Sequence, residues 1–126
     1  MSKPYLAGYL YIALTIILTV YGQLVIKWRM NFLGQLPDTF TSKVVFLMKA
    51  VFDPYIFSSF FAAFLASLAW MAAVTKFDIS YAYPFMSLAF VLVLIFSYIL
   101  FNESLTVNKV LGLALIIVGI IISSKK

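Results

Sequence analysis

Gln23 and Lys27 stand four residues apart in the stretch TVYGQLVIKWRM, residues 19–30, with Arg29 just beyond. Four-residue steps keep side chains on one face of a helix. On that face Tyr11, Thr15, Thr19 and Gln23 form a polar stripe, which Gly22 joins and Lys27 continues. An amide carries both donors and an acceptor. Lysine and arginine hold anionic oxygens through charge-assisted hydrogen bonds. The chemistry on offer is therefore recognition of hydroxyl groups, with anion binding at the basic end. Plainer readings stand beside it. Thr15, Thr19 and Gly22 also suit helix packing in lipid, and Lys27 also suits snorkelling to the headgroups. Gln23 is harder to place, because an amide in an apolar setting is costly unless paired.

A second group lies in SYAYPFMS, residues 80–87. Pro84 removes a backbone donor and kinks a helix. It shares a face with Ser87, where a freed carbonyl would point into a cavity. Tyr81 and Tyr83 flank the proline and read either as cavity hydroxyls or as an aromatic belt. Trp70 reads as an interface anchor or a cavity wall. Gly112 and Gly119, seven apart in GLALIIVG, permit close approach of another helix and point to packing or dimerisation. The acidic residues Asp38, Asp53, Asp78 and Glu103 all fall in loops or caps. An acid inside a span is the usual site of proton relay, and none is present. There is no histidine and no cysteine. With no Gly-rich phosphate loop either, the sequence implies no catalytic constellation, no metal site and no cofactor.

The elements that must position these residues are apolar helices. The chain has 126 residues, 65% of them hydrophobic and 10% charged. Soluble domains are about 45–50% apolar and about 25% charged, so the expected class is an all-α membrane protein. Four apolar runs, about 5–26, 54–74, 80–101 and 107–123, each suffice to cross roughly 30 Å of hydrocarbon. Together they predict a single four-helix domain over residues 1–126. The first run is too long for a signal-peptide core and is read as retained. Asp53-Pro54 reads as N-cap and N1, and Thr106 as a further N-cap. Between the first two spans, Phe40, Val44, Leu47, Met48 and Val51 make an apolar stripe with Ser42, Lys43 and Lys49 largely opposite. That pattern predicts a short amphipathic helix over about 39–52, lying in the membrane interface. Nine Lys and Arg against four Asp and Glu give a net charge of +5. The basic residues cluster at span ends, which suggests lipid headgroups rather than nucleic acid. They divide almost evenly between the two membrane faces, so charge does not set the orientation.

GQLVIK, ISYAYPFMSLAFV, FNESLT and GLALIIVG, in that order and spacing, resemble the drug/metabolite transporter superfamily. Among its four-helix members the chain is most similar to EamA-like flippase subunits for aminoarabinose-phospho-undecaprenol. It is more distantly similar to small multidrug resistance proteins. The resemblance implies a dimer, homo- or heterodimeric, with a substrate cavity lined mainly by spans one to three. It implies a dimerisation helix at span four, carrying Gly112 and Gly119. In the multidrug branch an essential glutamate falls where this chain has Thr19, a departure that speaks against proton-coupled drug efflux. The flippase branch matches Gly22, Gln23 and Lys27, then Tyr83, Pro84 and Ser87, then the loop acid Glu103. The expected function is a flippase in the bacterial inner membrane for a lipid-linked, phosphate-bearing sugar of undecaprenyl-phosphate type. Lys27 and Arg29 would meet the phosphate, and Thr19, Gln23, Trp70, Tyr81, Tyr83 and Ser87 the remainder. The alternatives are an exporter of cationic or amphipathic compounds, and a non-transporting subunit of a membrane complex.

Overall fold

The computed structural model describes residues 3–125. Helix α1 spans Lys3–Leu33, α2 Phe40–Val51 and α3 Pro54–Val74. The short α4, Ile79–Ala82, runs into a 3₁₀ turn, Tyr83–Met86, which leads to α5, Ser87–Phe101, and then α6, Val107–Ser124. Among the described residues, four stretches are long and apolar enough to cross a membrane: Leu6–Leu33, Pro54–Val74, Ile79–Phe101 and Val107–Ser124.

The caps explain most of the boundaries. Thr39 Oγ1 accepts from the Ser42 N–H at 3.3 Å and starts α2. Asp53 Oδ1 accepts from the N–H groups of Tyr55 at 3.0 Å and Ile56 at 3.3 Å, while Pro54 takes the first helical position of α3. Thr106 Oγ1 accepts from the Lys109 N–H at 3.2 Å at the start of α6. Each satisfies a donor that the first helical turn leaves unpaired.

Two elements differ from expectation. Helix α1 does not stop near residue 26 but continues to Leu33. No proline or glycine interrupts KWRMNFL, and the helix ends only before Gly34, whose φ of +104° suits a residue without Cβ. At 1.5 Å per residue, its 31 residues reach about 46 Å, well past the hydrocarbon. The third span is not one kinked helix but α4, a 3₁₀ turn and α5, because Pro84 cannot donate to the helical ladder.

Helix α1 packs chiefly on α3 and secondarily on α5. Ile12, Ile16 and Val20 of α1 form the core with Ala73, Phe77, Ala82 and Ala89. The buried face of α3 is a run of small residues, Ser59, Ala62, Ala66, Ala69 and Ala73, and small side chains allow helices to approach closely. The closest approach is at Gly22, where an added Cβ would lie 3.3 Å from the Ser59 carbonyl oxygen. Ala63, one residue on from Ala62, is exposed. Helix α6 is peripheral and buries only Ile120 among its described residues. Around Gly112 and Gly119 there is open space.

Candidate functional site

A cavity of about 590 Å³ lies between α1, α3 and the 3₁₀ turn. Helix α1 contributes Thr15, Leu18, Thr19, Gly22, Gln23 and Ile26. From α3 come Ser59, Phe60, Ala63, Ala66, Ser67, Trp70 and Met71, and from the turn Tyr83 and Met86. No charged side chain is among them. Tyr83, at the start of the 3₁₀ turn, packs against Trp70, with ring centroids 5.9 Å apart and planes at 78°.

The polar groups of the cavity fall into two kinds. Thr15 Oγ1 donates to the Tyr11 carbonyl at 2.8 Å, and Ser67 Oγ to the Ala63 carbonyl at 3.1 Å. Ser59 Oγ donates to the Ile56 carbonyl. Their hydrogens are committed to their own helices, so these three hydroxyls offer only lone pairs. Thr19, Gln23, Trp70 and Tyr83 have no hydrogen-bond partner among the described residues. Their hydroxyls, amide and indole N–H are available to a ligand. Aromatic faces beside hydroxyl and amide groups, with no fixed charge, suit an uncharged polyol, and the rings also attract an ammonium group.

Of the residues singled out from sequence, Thr19, Gln23, Trp70 and Tyr83 meet in this cavity, with Gly22 in its wall. The others lie elsewhere. Lys27 is exposed, one helical turn beyond Gln23, and carries no ion pair or hydrogen bond among the described residues. Arg29 is already engaged: its Nε donates to Asp53 Oδ2 at 2.8 Å. Its guanidinium lies 4.3 Å from the Phe32 ring centre and 4.8 Å from that of Tyr55. Partial burial pushes the Asp53 carboxyl up, but the bonds from Arg29 and from the Ile56 and Tyr55 N–H groups together outweigh it. The net effect holds Asp53 below its ordinary value of 3.8.

Tyr81 is turned away from the cavity, its hydroxyl bonded to that of Tyr9 and its ring packed on Phe77 and Phe85. Ser87 follows the 3₁₀ turn outside the cavity lining. Glu103 borders a separate recess of about 210 Å³ that includes Lys109, whose Nζ donates to the Ser104 carbonyl at 3.0 Å. Sequence reasoning passed over Ser67, Met71 and Met86 as cavity residues. The signal for the first two was the four-residue series Ser59, Ala63, Ser67 and Met71 along one face of α3. Met86 offered none before the 3₁₀ turn was known.

A model of the EamA-like transporter family matches residues 6–125. A protein of Pseudomonas fluorescens, described as the probable 4-amino-4-deoxy-L-arabinose-phosphoundecaprenol flippase subunit ArnF, is 33% identical over 116 residues. That match covers 90% of this chain and 84% of the relative. The ArnF subunit described in Serratia proteamaculans is 32% identical, with 90% and 88% covered. A relative described as the ArnE subunit, from Aeromonas salmonicida, is 30% identical, with 87% and 90% covered. No solved structure matches the chain.

Proposed function

The chain belongs to the EamA-like transporter family, and from that premise we propose that it is a flippase subunit for an undecaprenyl-phosphate-linked sugar. The amino sugar named for its relatives, 4-amino-4-deoxy-L-arabinose, is the favoured cargo. The observation that carries this reading is the pairing of an uncharged hydrogen-bonding cavity with a free cation at its basic end. Thr19, Gln23 and Tyr83 supply bonds to sugar hydroxyls, while Trp70 presents a ring to the sugar. Lys27, on the same side of α1 one turn beyond Gln23, takes the phosphate. Arg29 is a structural tie in this reading, not a phosphate ligand. The lipid tail remains in the bilayer.

The relatives carry two subunit names, ArnF and ArnE, which favours pairing with a second small subunit of the same family in the bacterial inner membrane. A cavity open between four thin helices gains a second wall in such a pair. The exporter alternative lacks support from the cavity, since no carboxylate lines it to exchange a proton for a cation. The test is flipping of the sugar-linked lipid in proteoliposomes by this chain, alone and with the second subunit. Lys27→Ala is expected to lose most of the activity and Lys27→Arg to keep much of it. Full activity in Lys27→Ala would remove the phosphate role.

A further inference from the structure

The face of α2 that the bundle leaves uncovered has a specific chemistry. At 100° per residue, Phe40, Val44, Leu47 and Met48 occupy one sector of about 100°. All four are exposed, Phe40 to 81% and Met48 to 56%. The side turned to the bundle is different: Ala50 is buried there and Phe46 half-buried beside it. Lys43 stands at one edge of the apolar sector and Lys49 on the side largely opposite it, and α2 has no acidic residue. Neither lysine carries an ion pair or hydrogen bond among the described residues.

The position of α2 along the membrane normal is also constrained. Only Phe52 and Asp53 separate it from α3. The 21 residues of α3 reach about 31 Å, which matches the hydrocarbon thickness, so its first turn sits at the membrane boundary. Asp53 then fixes the junction to α1 through Arg29. An exposed apolar sector at that depth continues the lipid-facing surface of the spanning helices, and Lys43 at its edge and Lys49 on the more polar side complement lipid phosphates.

We propose that α2 is a docking surface for anionic phospholipid, with Phe40, Val44 and Met48 among the acyl chains and Lys43 and Lys49 on the headgroup phosphates. Docked in this way, α2 anchors the Asp53 junction and, through it, the extended end of α1 that carries Lys27. The inference holds whatever lipid-linked sugar the cavity takes, because none of the observations behind it involves the cavity.

The natural chain has no cysteine, so single probes can be placed by Ser42→Cys, Val44→Cys and Met48→Cys. Each variant of the full chain is labelled with bimane and reconstituted in phosphatidylcholine vesicles, with or without phosphatidylglycerol. Iodide in water and doxyl groups on the acyl chains serve as quenchers. The 44 and 48 probes are expected to be quenched by doxyl lipid and several-fold less by iodide than the 42 probe. Phosphatidylglycerol should deepen this contrast. Replacing Lys43 and Lys49 together by glutamine should abolish the phosphatidylglycerol effect, while Lys27→Gln should leave it intact. Equal iodide quenching at 42, 44 and 48 overturns the proposal. So does shielding from iodide without doxyl quenching, which would mean that a second protein copy covers the face. A contrast insensitive to phosphatidylglycerol overturns the anionic-lipid assignment.

Discussion

Arg29 Nε donates to Asp53 Oδ2 at 2.8 Å, and through this one bond the extended end of α1 is tied to the N-cap of α3. Both side chains are largely shielded, 18% and 11% exposed. The carboxylate does two jobs at once, since its other oxygen caps α3 through the Tyr55 and Ile56 N–H groups. The guanidinium also covers the rings of Phe32 and Tyr55.

That tie predicts a pH dependence. The Asp53 pKa is depressed in the folded protein, so its contribution to stability is fully present above the ordinary value of 3.8 and is lost as pH falls through the lower folded value. Arg29→Ala should lower Tm in detergent at neutral pH. The gap to the wild type should shrink as pH falls through that acid range. A gap that stayed constant to the most acid pH would show that Arg29 acts by packing on the rings alone.

The close crossing at Gly22 predicts a size threshold. An alanine Cβ there would sit 3.3 Å from the Ser59 carbonyl oxygen, so the helices must yield by a few tenths of an ångström. The strain is set against the better helix propensity of alanine, worth about 1 kcal/mol. Gly22→Ala should therefore stay within about 1 kcal/mol of the wild type. Gly22→Val adds two more methyl groups at the same contact and should lose about 1–3 kcal/mol, as overpacked cores do. Thermal unfolding of the two variants side by side makes the comparison.

What could be read from sequence was local. The caps at Asp53 and Thr106 were legible because capping needs only a few adjacent residues and a hydrogen-bonding side chain. The polar stripe was legible too, since Thr19 and Gln23 follow helical spacing. The engagement of Arg29 was not, because its partner lies 24 residues away and meets it only once α1 continues past the apolar run. Tyr81 and Tyr83 were legible in part: two residues apart, they lie about 200° apart on a helix and do not share a face. Which of the two meets the cavity was not legible, because that depends on the Trp70 ring of another helix.

The cavity predicts a separation of activity from stability at Gln23. Its amide bonds no described residue, so Gln23→Leu should leave Tm unchanged or raise it. If the amide holds a sugar hydroxyl, transport should fall by roughly 2- to 12-fold, the equivalent of one hydrogen bond of about 0.5–1.5 kcal/mol. An unchanged rate together with an unchanged Tm would remove Gln23 from the binding set.

Charge at Thr19 gives a sharper discrimination. Thr19→Gln and Thr19→Glu are nearly equal in size and differ by one negative charge. A cavity that places a sugar close to a phosphate should tolerate the amide better than the carboxylate, because like charges repel strongly where water is scarce. Flipping by Thr19→Glu is expected to fall further than by Thr19→Gln, and the difference should narrow at acid pH as the carboxyl becomes protonated. Equal rates across the pH range would place the phosphate far from Thr19.

Pro84 links backbone to site. Because proline withholds a backbone donor, the chain takes a 3₁₀ turn that swings Tyr83 to the Trp70 ring, 5.9 Å between centroids. Pro84→Ala restores the missing N–H and allows α4 and α5 to join as one α-helix. Stability should therefore hold or rise, since a proline within a helix costs about 3 kcal/mol relative to alanine. Transport should nevertheless drop, because a regular helix re-aims the Tyr83 side chain away from the cavity. Tyr83→Phe supplies the control: it keeps the ring and the turn but removes the hydroxyl. If the hydroxyl alone matters, Tyr83→Phe should match Pro84→Ala in its loss of activity. If the ring pair matters, Pro84→Ala should be clearly the worse of the two.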